Sequence, residues 1–358
     1  MIHPSRAMPV PTSNRSSEAA RAGARWSVGS AVAGGTLWVI APVVPVGAPP
    51  SFGSIEHIFL FMPLVAAPLA FFLLSVLLRS GSQTSDGAHG LARRVQPAAA
   101  AMVLASFFLP TGKLAGGLAA CWLVVAAMVA AGGARRAVHV PGRQRANVSL
   151  FAAHVFLPIG AVWLLLSRLG VAPRDLTALT VLLATLHFHF SGFTLQILIA
   201  AAGLQLPERG SWLRGLHRAL AIGAAAGIPM IAAGNIGHSP VLKFLGVSAM
   251  VVSTIALATT SAAVAWNAPD RVARILLPLS AASIAAGMVL AGAYGLGELT
   301  GRDWIGVPRM IAVHGALNAF GFTLFGLVGH LRLRLAPASE APGACAVEPV
   351  DPRREEKW

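Results

Sequence analysis

The chain is poor in charged residues, which make up only 11% of its 358 positions. A water-soluble domain of this size carries roughly a quarter. Acidic residues are the scarcest, with 13 Asp and Glu against 27 Lys and Arg. Hydrophobic residues reach 56%, and the mean hydropathy is +0.70. This composition excludes a soluble globular protein and indicates helices that cross a membrane, since helices satisfy their backbone hydrogen bonds within lipid.

Cysteine is also scarce. Cys121 lies in an apolar run and Cys345 near the C-terminus, far apart in the predicted topology, so no disulfide is expected. The sequence contains no paired-cysteine, P-loop, nucleophilic-serine or zinc-protease motif. Any chemistry is therefore expected inside the membrane bundle.

Ten apolar segments predict an all-α fold, a polytopic transmembrane helix bundle with about ten spans. The segments are residues 28–46, 55–78, 96–109, 114–131, 149–169, 176–204, 216–233, 241–266, 272–296 and 308–331. The third is short and is predicted to form a tight hairpin with the fourth. We divide the chain into a disordered basic tail (1–27), the bundle (28–333) and a second disordered tail (334–358).

Positive charge is distributed unevenly between the predicted loops. When the N-terminus is cytoplasmic and the sides alternate, only six of the 27 basic residues lie outside: Lys113, Arg168, Arg174, Lys243, Arg302 and Arg309. This bias predicts that both termini and both tails are cytoplasmic, in the inner (plasma) membrane. The net charge of +14 then faces anionic lipid headgroups. The expected partner is the lipid bilayer, and nucleic acid is not expected.

Eight polar side chains predict a site in the outer half of the membrane. They are His187 and His189 in helix six, His314 and Asn318 in helix ten, Tyr294 and Glu298 at the outer end of helix nine, and Glu56 and His57 at the outer start of helix two. Ionisable groups within spans are costly, so these residues are candidates for binding a ligand. Only their depth groups them, because the sequence does not identify neighbouring helices.

The sequence is equally compatible with purely structural roles for these residues. Glu56 stands at a helix N-terminus, where a carboxylate meets the positive end of the helix dipole. Glu298 lies at the aqueous boundary. His314 and Asn318 have the chemistry to join helices by hydrogen bonds, as does His154 in helix five.

The two histidines of helix six are about 200° apart around a regular helix. His187 and His189 can therefore reach one metal ion only if the helix is distorted. We instead predict that His314 and one of these two face a shared cavity, with Glu298 or Glu56 near its mouth. A separate prediction concerns packing, because Gly223 and Gly227 form a small-residue motif expected to face another helix.

Several motifs together resemble the YndJ-like family of bacterial membrane proteins. They are Leu-His-Phe-His-Phe-Ser-Gly-Phe at 186–193, Val-His-Gly-Ala-Leu-Asn-Ala-Phe-Gly-Phe at 313–322, the segments 162–170 and 292–298, and the shorter matches at 55–57 and 94–97. The resemblance covers roughly residues 54–333 and departs at Ser191, where the family has Ala. It implies an integral membrane protein and specifies no reaction.

Three functions remain open. In the first, the outer-half cluster binds a small ligand, a proton or a metal, as in a transport, sensing or accessory protein. In the second, the protein is a membrane redox or metal/haem enzyme with His187, His189 and His314 as ligands, because imidazole is the commonest such ligand. In the third, the polar residues only specify helix packing, and the protein assembles with other membrane proteins. The sequence identifies no cofactor.

Overall fold

The computed structural model describes residues 13–43, 53–78, 87–139, 147–173, 176–206, 212–266 and 268–335. These residues form ten helices: α1 Ser13–Ile40, α2 Ser54–Leu78, α3 Gly87–Phe107, α4 Lys113–His139, α5 Val148–Leu169, α6 Ala178–Gly203, α7 Trp212–Ile236, α8 Pro240–Trp266, α9 Arg271–Thr300 and α10 Val307–Leu335. No strand occurs in the described residues. The predicted all-α bundle is confirmed.

Nine of the described helices are long and apolar enough to cross a membrane, which makes this a multi-pass membrane protein. The tenth, α3, begins at Gly87, so the third helix starts earlier than residue 96, where the third span was predicted to begin. Its first turns hold Arg93 and Arg94, which lower its hydropathy. With 21 residues it is about 31 Å long, so its length matches the hydrocarbon core, but it is not apolar enough to be one of the nine candidate spans.

The hairpin between α3 and α4 is confirmed. The two helices pack side by side across a turn closed by Arg168 of α5. This buried guanidinium donates from Nη2 to the carbonyl of Ser106 at 2.8 Å and to that of Leu109 at 2.9 Å. It also lies 4.5 Å from the centre of the Phe107 ring. Arg168 therefore caps the C-terminal end of α3, where unpaired carbonyls favour a cation.

The boundaries of the bundle differ from the predicted ones. Helix α1 begins at Ser13, so residues 13–27, predicted to be disordered, are helical. Arg21 and Arg25 lie on this helix, because basic residues do not interrupt helical structure. At the other end, α10 continues to Leu335. The remaining residues of both predicted tails, 1–12 and 336–358, lie outside the described part of the chain.

Helices α2 and α6 form the centre of the bundle. In the most apolar 18-residue stretch of each helix, 89% of the α2 residues and 72% of the α6 residues are buried within the protein. In every other candidate span this share is 44% or less. Helix α2 packs against α1, α3, α6 and α10, and α6 packs against α2, α5, α7, α8 and α10. Helices six and ten, which carry the predicted histidine cluster, are therefore neighbours.

Ion pairs join residues that the alternating topology puts on the same side. Lys243 Nζ lies 2.8 Å from Glu298 Oε1 at the predicted outer end. Arg332 Nη2 lies 2.6 Å from Asp270 Oδ2 at the predicted inner end. Both contacts support a strict alternation of the helices. The cytoplasmic orientation and the choice of membrane stay predictions.

The prediction that the Gly223 motif faces another helix is confirmed. A Cβ atom added to Gly227 would lie 2.7 Å from the carbonyl oxygen of Gly246 in α8. One added to Gly223 would collide with Ser253 of the same helix. The two glycines therefore let the backbones of α7 and α8 approach closely.

Candidate functional site

A cavity in two adjoining compartments lies among α6, α9 and α10. The larger compartment encloses about 420 Å³ and extends between α7 and α8. The smaller encloses about 160 Å³ and reaches Ile58 of α2. Both are lined by Leu183, His187, Ser191, Tyr294, Val307, Met310 and His314. We call the two compartments together the histidine cavity. The larger one falls within the range of small-molecule sites.

The histidine cavity is bounded by irregular helix on two sides. Phe188–Thr194 of α6 is π-helical, as are Met310–His314 and Leu317–Leu324 of α10. A π-helical turn inserts an extra residue and changes the direction of the side chains that follow. His187 and His314 each stand at the edge of such a segment. This local distortion was not predicted from the sequence, which signals it only through Gly192.

His187 presents its ring to the cavity. Its Nδ1 lies 2.7 Å from the carbonyl oxygen of Leu183, one turn earlier in α6. A carbonyl can only accept, so Nδ1 carries the proton and donates. In the neutral ring, Nε2 then keeps its lone pair. His187 is exposed and lines both compartments, so this lone pair is available to a bound molecule.

His189 lies on the other side of α6 and does not line the cavity. Its ring is completely buried. The indole Nε1–H of Trp122 donates to His189 Nε2 at 2.8 Å, and His189 Nδ1 lies 2.7 Å from the carbonyl oxygen of Thr185. The indole can only donate and the carbonyl can only accept. His189 is therefore a neutral imidazole with both nitrogens occupied.

His314 joins α9 to α10 from the wall of the cavity. Its Nδ1 lies 2.8 Å from the Gly287 carbonyl oxygen, and its Nε2 lies 2.7 Å from Nδ2 of Asn318. With the amide in this orientation, Nδ1–H donates and Nε2 accepts. If the amide turns so that Oδ1 accepts, the ring can donate from both nitrogens and carry a positive charge. Asn318 can therefore form a hydrogen bond with His314 in either protonation state of the imidazole.

The larger compartment of the cavity is lined by an ion pair and by the single tyrosine of the chain. Lys243 of α8 pairs with Glu298 of α9 at 2.8 Å. Tyr294 lies one turn before Glu298 on α9 and lines the same compartment. Lys243 and the nearby Asn235 were missed by the sequence analysis. The signal for Lys243 was an isolated cation at the same predicted depth as Glu298.

Neither Glu56 nor His57 lines the cavity, although the next residue, Ile58, does. The Gly53 N–H donates to Glu56 Oε2 at 2.9 Å, so the carboxylate caps the start of α2. His57 stacks on Trp38 of α1, with ring centres 4.1 Å apart. Of the two acidic residues predicted near the mouth, Glu298 is the one at the cavity, and Glu56 has a structural role.

The three histidines proposed as metal ligands do not converge. His187 and His314 line one cavity, but both nitrogens of His189 are bound elsewhere. Within the described residues, no group of three His, Cys, Asp or Glu is arranged to hold a metal ion. The structure therefore does not assemble the predicted His187–His189–His314 set.

A further pair of histidines joins α3 and α5. His89 Nε2 and His154 Nε2 are 2.9 Å apart, and His154 Nδ1 lies 2.6 Å from the Leu150 carbonyl oxygen. The predicted interhelical hydrogen bond of His154 is confirmed. His89 was missed, because it precedes the apolar run from which the third span was predicted.

Comparison with protein families gives one match. Residues 57–322 match the family described as YndJ-like protein, which covers about three quarters of the chain and includes every wall residue of the histidine cavity discussed above. No curated protein and no solved structure matches the chain.

Proposed function

The chain belongs to the YndJ-like family, and from this premise we propose that it is a membrane protein that binds a small, uncharged, amphipathic ligand in the histidine cavity. The observation that carries the proposal is that Nε2 of His187 has no hydrogen-bond partner within the described part of the chain, in a cavity that is otherwise mostly apolar. An imidazole within a membrane bundle is costly unless it finds a polar partner. A bound ligand supplies that partner.

The chemistry of the lining defines the ligand class. Nε2 of neutral His187 accepts a hydrogen bond, so the ligand carries an O–H or N–H group. Lys243 and Glu298 neutralise one another at 2.8 Å, so no net charge among them attracts an ion. The remaining wall is largely aliphatic, including Ile228, Met250 and Met288. An apolar body with one hydrogen-bond donor fits these features.

The test uses 4-butylphenol as the probe and diethyl pyrocarbonate as the reporter, since this reagent modifies accessible neutral imidazole. We expect 4-butylphenol to protect His187 in a saturable manner, as measured by peptide mass spectrometry. His238 is the internal control. It is exposed in the turn between α7 and α8 and should remain unprotected.

A pair of variants separates binding in the cavity from partitioning into detergent. Ala291 of α9 lines the larger compartment, so Ala291→Phe should obstruct it and remove the protection. Val289, two positions earlier, is 63% exposed on the outside of the bundle, so Val289→Phe should leave the protection intact. The proposal is wrong if the parent shows no protection or if Ala291→Phe retains it.

A further inference from the structure

A series of polar residues, which we call the stripe, follows α10 from the histidine cavity to the opposite end of the bundle. It consists of His314, Asn318, Thr323, His330 and Arg334. Residues three or four apart on a helix are neighbours on its surface. The step of five from Asn318 to Thr323 falls within the π-helical segment Leu317–Leu324, where hydrogen bonds join residues five apart. Thr323 therefore lies about one π-helical turn after Asn318.

The longest step of the stripe, from Thr323 to His330, is about 10 Å along the helix axis. Ser280 of α9 fills this interval, because its hydroxyl donates to the Phe322 carbonyl at 2.8 Å. Gly326 lies three residues after Thr323 and four before His330. A Cβ atom at Gly326 would lie 2.9 Å from Ser280 Oγ. The glycine thus leaves room for a second hydroxyl in the middle of the stripe.

Three atoms of the stripe are buried without a hydrogen-bond partner among the described residues: Asn318 Oδ1, Thr323 Oγ1 and His330 Nδ1. Thr323 is completely buried and His330 is 1% exposed. Aliphatic residues would fill these positions at no cost in hydrogen bonding, whereas buried polar groups require partners. Internal water is the usual partner of such groups.

We propose that this stripe carries protons between the histidine cavity and the opposite end of α10. The Asn318 amide turns, and the lone pair of His314 Nε2 takes up a proton from the cavity. That proton passes through internal water to the Thr323 hydroxyl, whose oxygen accepts one proton as it releases its own. The released proton crosses the remaining interval through internal water and the Ser280 hydroxyl, whose oxygen accepts one proton as it releases its own. His330 Nδ1 accepts a proton at the far end, and His330 returns to neutral by releasing one proton from its other nitrogen. One proton enters, one leaves, and only N–H and O–H bonds change.

The chain offers a matched control for the central hydroxyl. Thr254 of α8 is 1% exposed, and its Oγ1 likewise lacks a partner within the described residues. It lies on a different helix and outside the stripe. Thr323→Val and Thr254→Val therefore remove the same group from equally buried sites, and only the first interrupts the proposed path.

The experiment measures proton uptake into liposomes containing the full-length protein and internal pyranine, driven by a potassium diffusion potential with valinomycin. We expect uptake faster than in protein-free liposomes, lost in Thr323→Val and retained in Thr254→Val and Thr323→Ser. His330→Phe should also lose it, which keeps the test valid if Thr323→Val does not fold. Parent liposomes no faster than protein-free ones, or a Thr323→Val rate equal to that of Thr254→Val, would overturn the proposal. No ligand is present, so the outcome is independent of the cavity-binding test.

Discussion

His187 and His189 lie two residues apart on α6 and differ in how many of their ring nitrogens are hydrogen-bonded. His189 is enclosed between α4 and α5, where Trp122 and the Thr185 carbonyl occupy both of its nitrogens. His187 uses one nitrogen for the Leu183 carbonyl and presents the rest of its ring to the histidine cavity. An imidazole with both nitrogens paired holds helices together, whereas one with a free nitrogen can bind a ligand.

The largest expected effect separates these two histidines. His189→Leu leaves the Trp122 indole N–H buried without an acceptor, which costs about 1–3 kcal/mol, and it also removes a donor from the Thr185 carbonyl. His187→Leu should change the free energy of unfolding by less than about 0.5 kcal/mol, since it buries no orphaned group. Thermal unfolding in detergent measures both. If the two variants lose equal stability, the distinction between the two sites fails.

The next prediction tests whether another substitution in a packed helix interface lowers stability as His189→Leu does. Gly227→Leu should destabilise by about 1–3 kcal/mol, because its side chain meets the α8 backbone at Gly246. Gly117→Leu in α4 is the control, since a Cβ atom there meets nothing within 4 Å. The comparison uses the same unfolding assay. A Gly227→Leu protein as stable as Gly117→Leu would contradict the close approach of α7 and α8.

His314 sharpens the comparison, because its nitrogens are paired as in His189 while its ring lines the cavity. His314→Ala should cost about 1 kcal/mol for the lost hydrogen bonds. His314→Gln should retain most of that stability, since an amide can still hydrogen-bond, yet it should lose proton uptake in the liposome assay. Full uptake in His314→Gln would assign His314 to packing alone.

The smallest effect lies at the opposite end of the bundle. The hydrogen bond from Arg332 lowers the pKa of Asp270 below its usual value. A lowered pKa stabilises the folded state above about pH 4, and this stabilisation disappears as the pH falls through the lowered value. Asp270→Asn keeps a cap for α9 but loses the ion pair. Because Arg332 is half exposed, the difference from the parent should be under about 1 kcal/mol at pH 7. The difference should vanish once the pH is below the lowered pKa of Asp270, as measured by unfolding.

Much of the site followed from depth in the predicted topology. The placement of His187, His314, Tyr294 and Glu298 at one level of the membrane agrees with their common cavity. The depth argument failed for Glu56, because equal depth does not require contact. The first turns of α3 were missed because Arg93 and Arg94 interrupt the apolar run, although a helix continues through charged residues at a membrane boundary.

The sequence by itself determined the class of fold. Apolar runs long enough to cross a bilayer require helices, because the backbone finds no other hydrogen-bond partners in lipid. The same reasoning identified the costly polar residues within those runs. Composition and periodicity could not assign neighbours, since every apolar helix is compatible with several partners.

Tertiary structure decided which of these polar residues are structural and which are free. His189 became structural only because Trp122, far away in the sequence, donates to its ring. The π-helical segments of α6 and α10 likewise depart from the regular 3.6-residue period on which a prediction from sequence relies. A hydrogen bond depends on the position of both partners, and these positions are set when the helices pack.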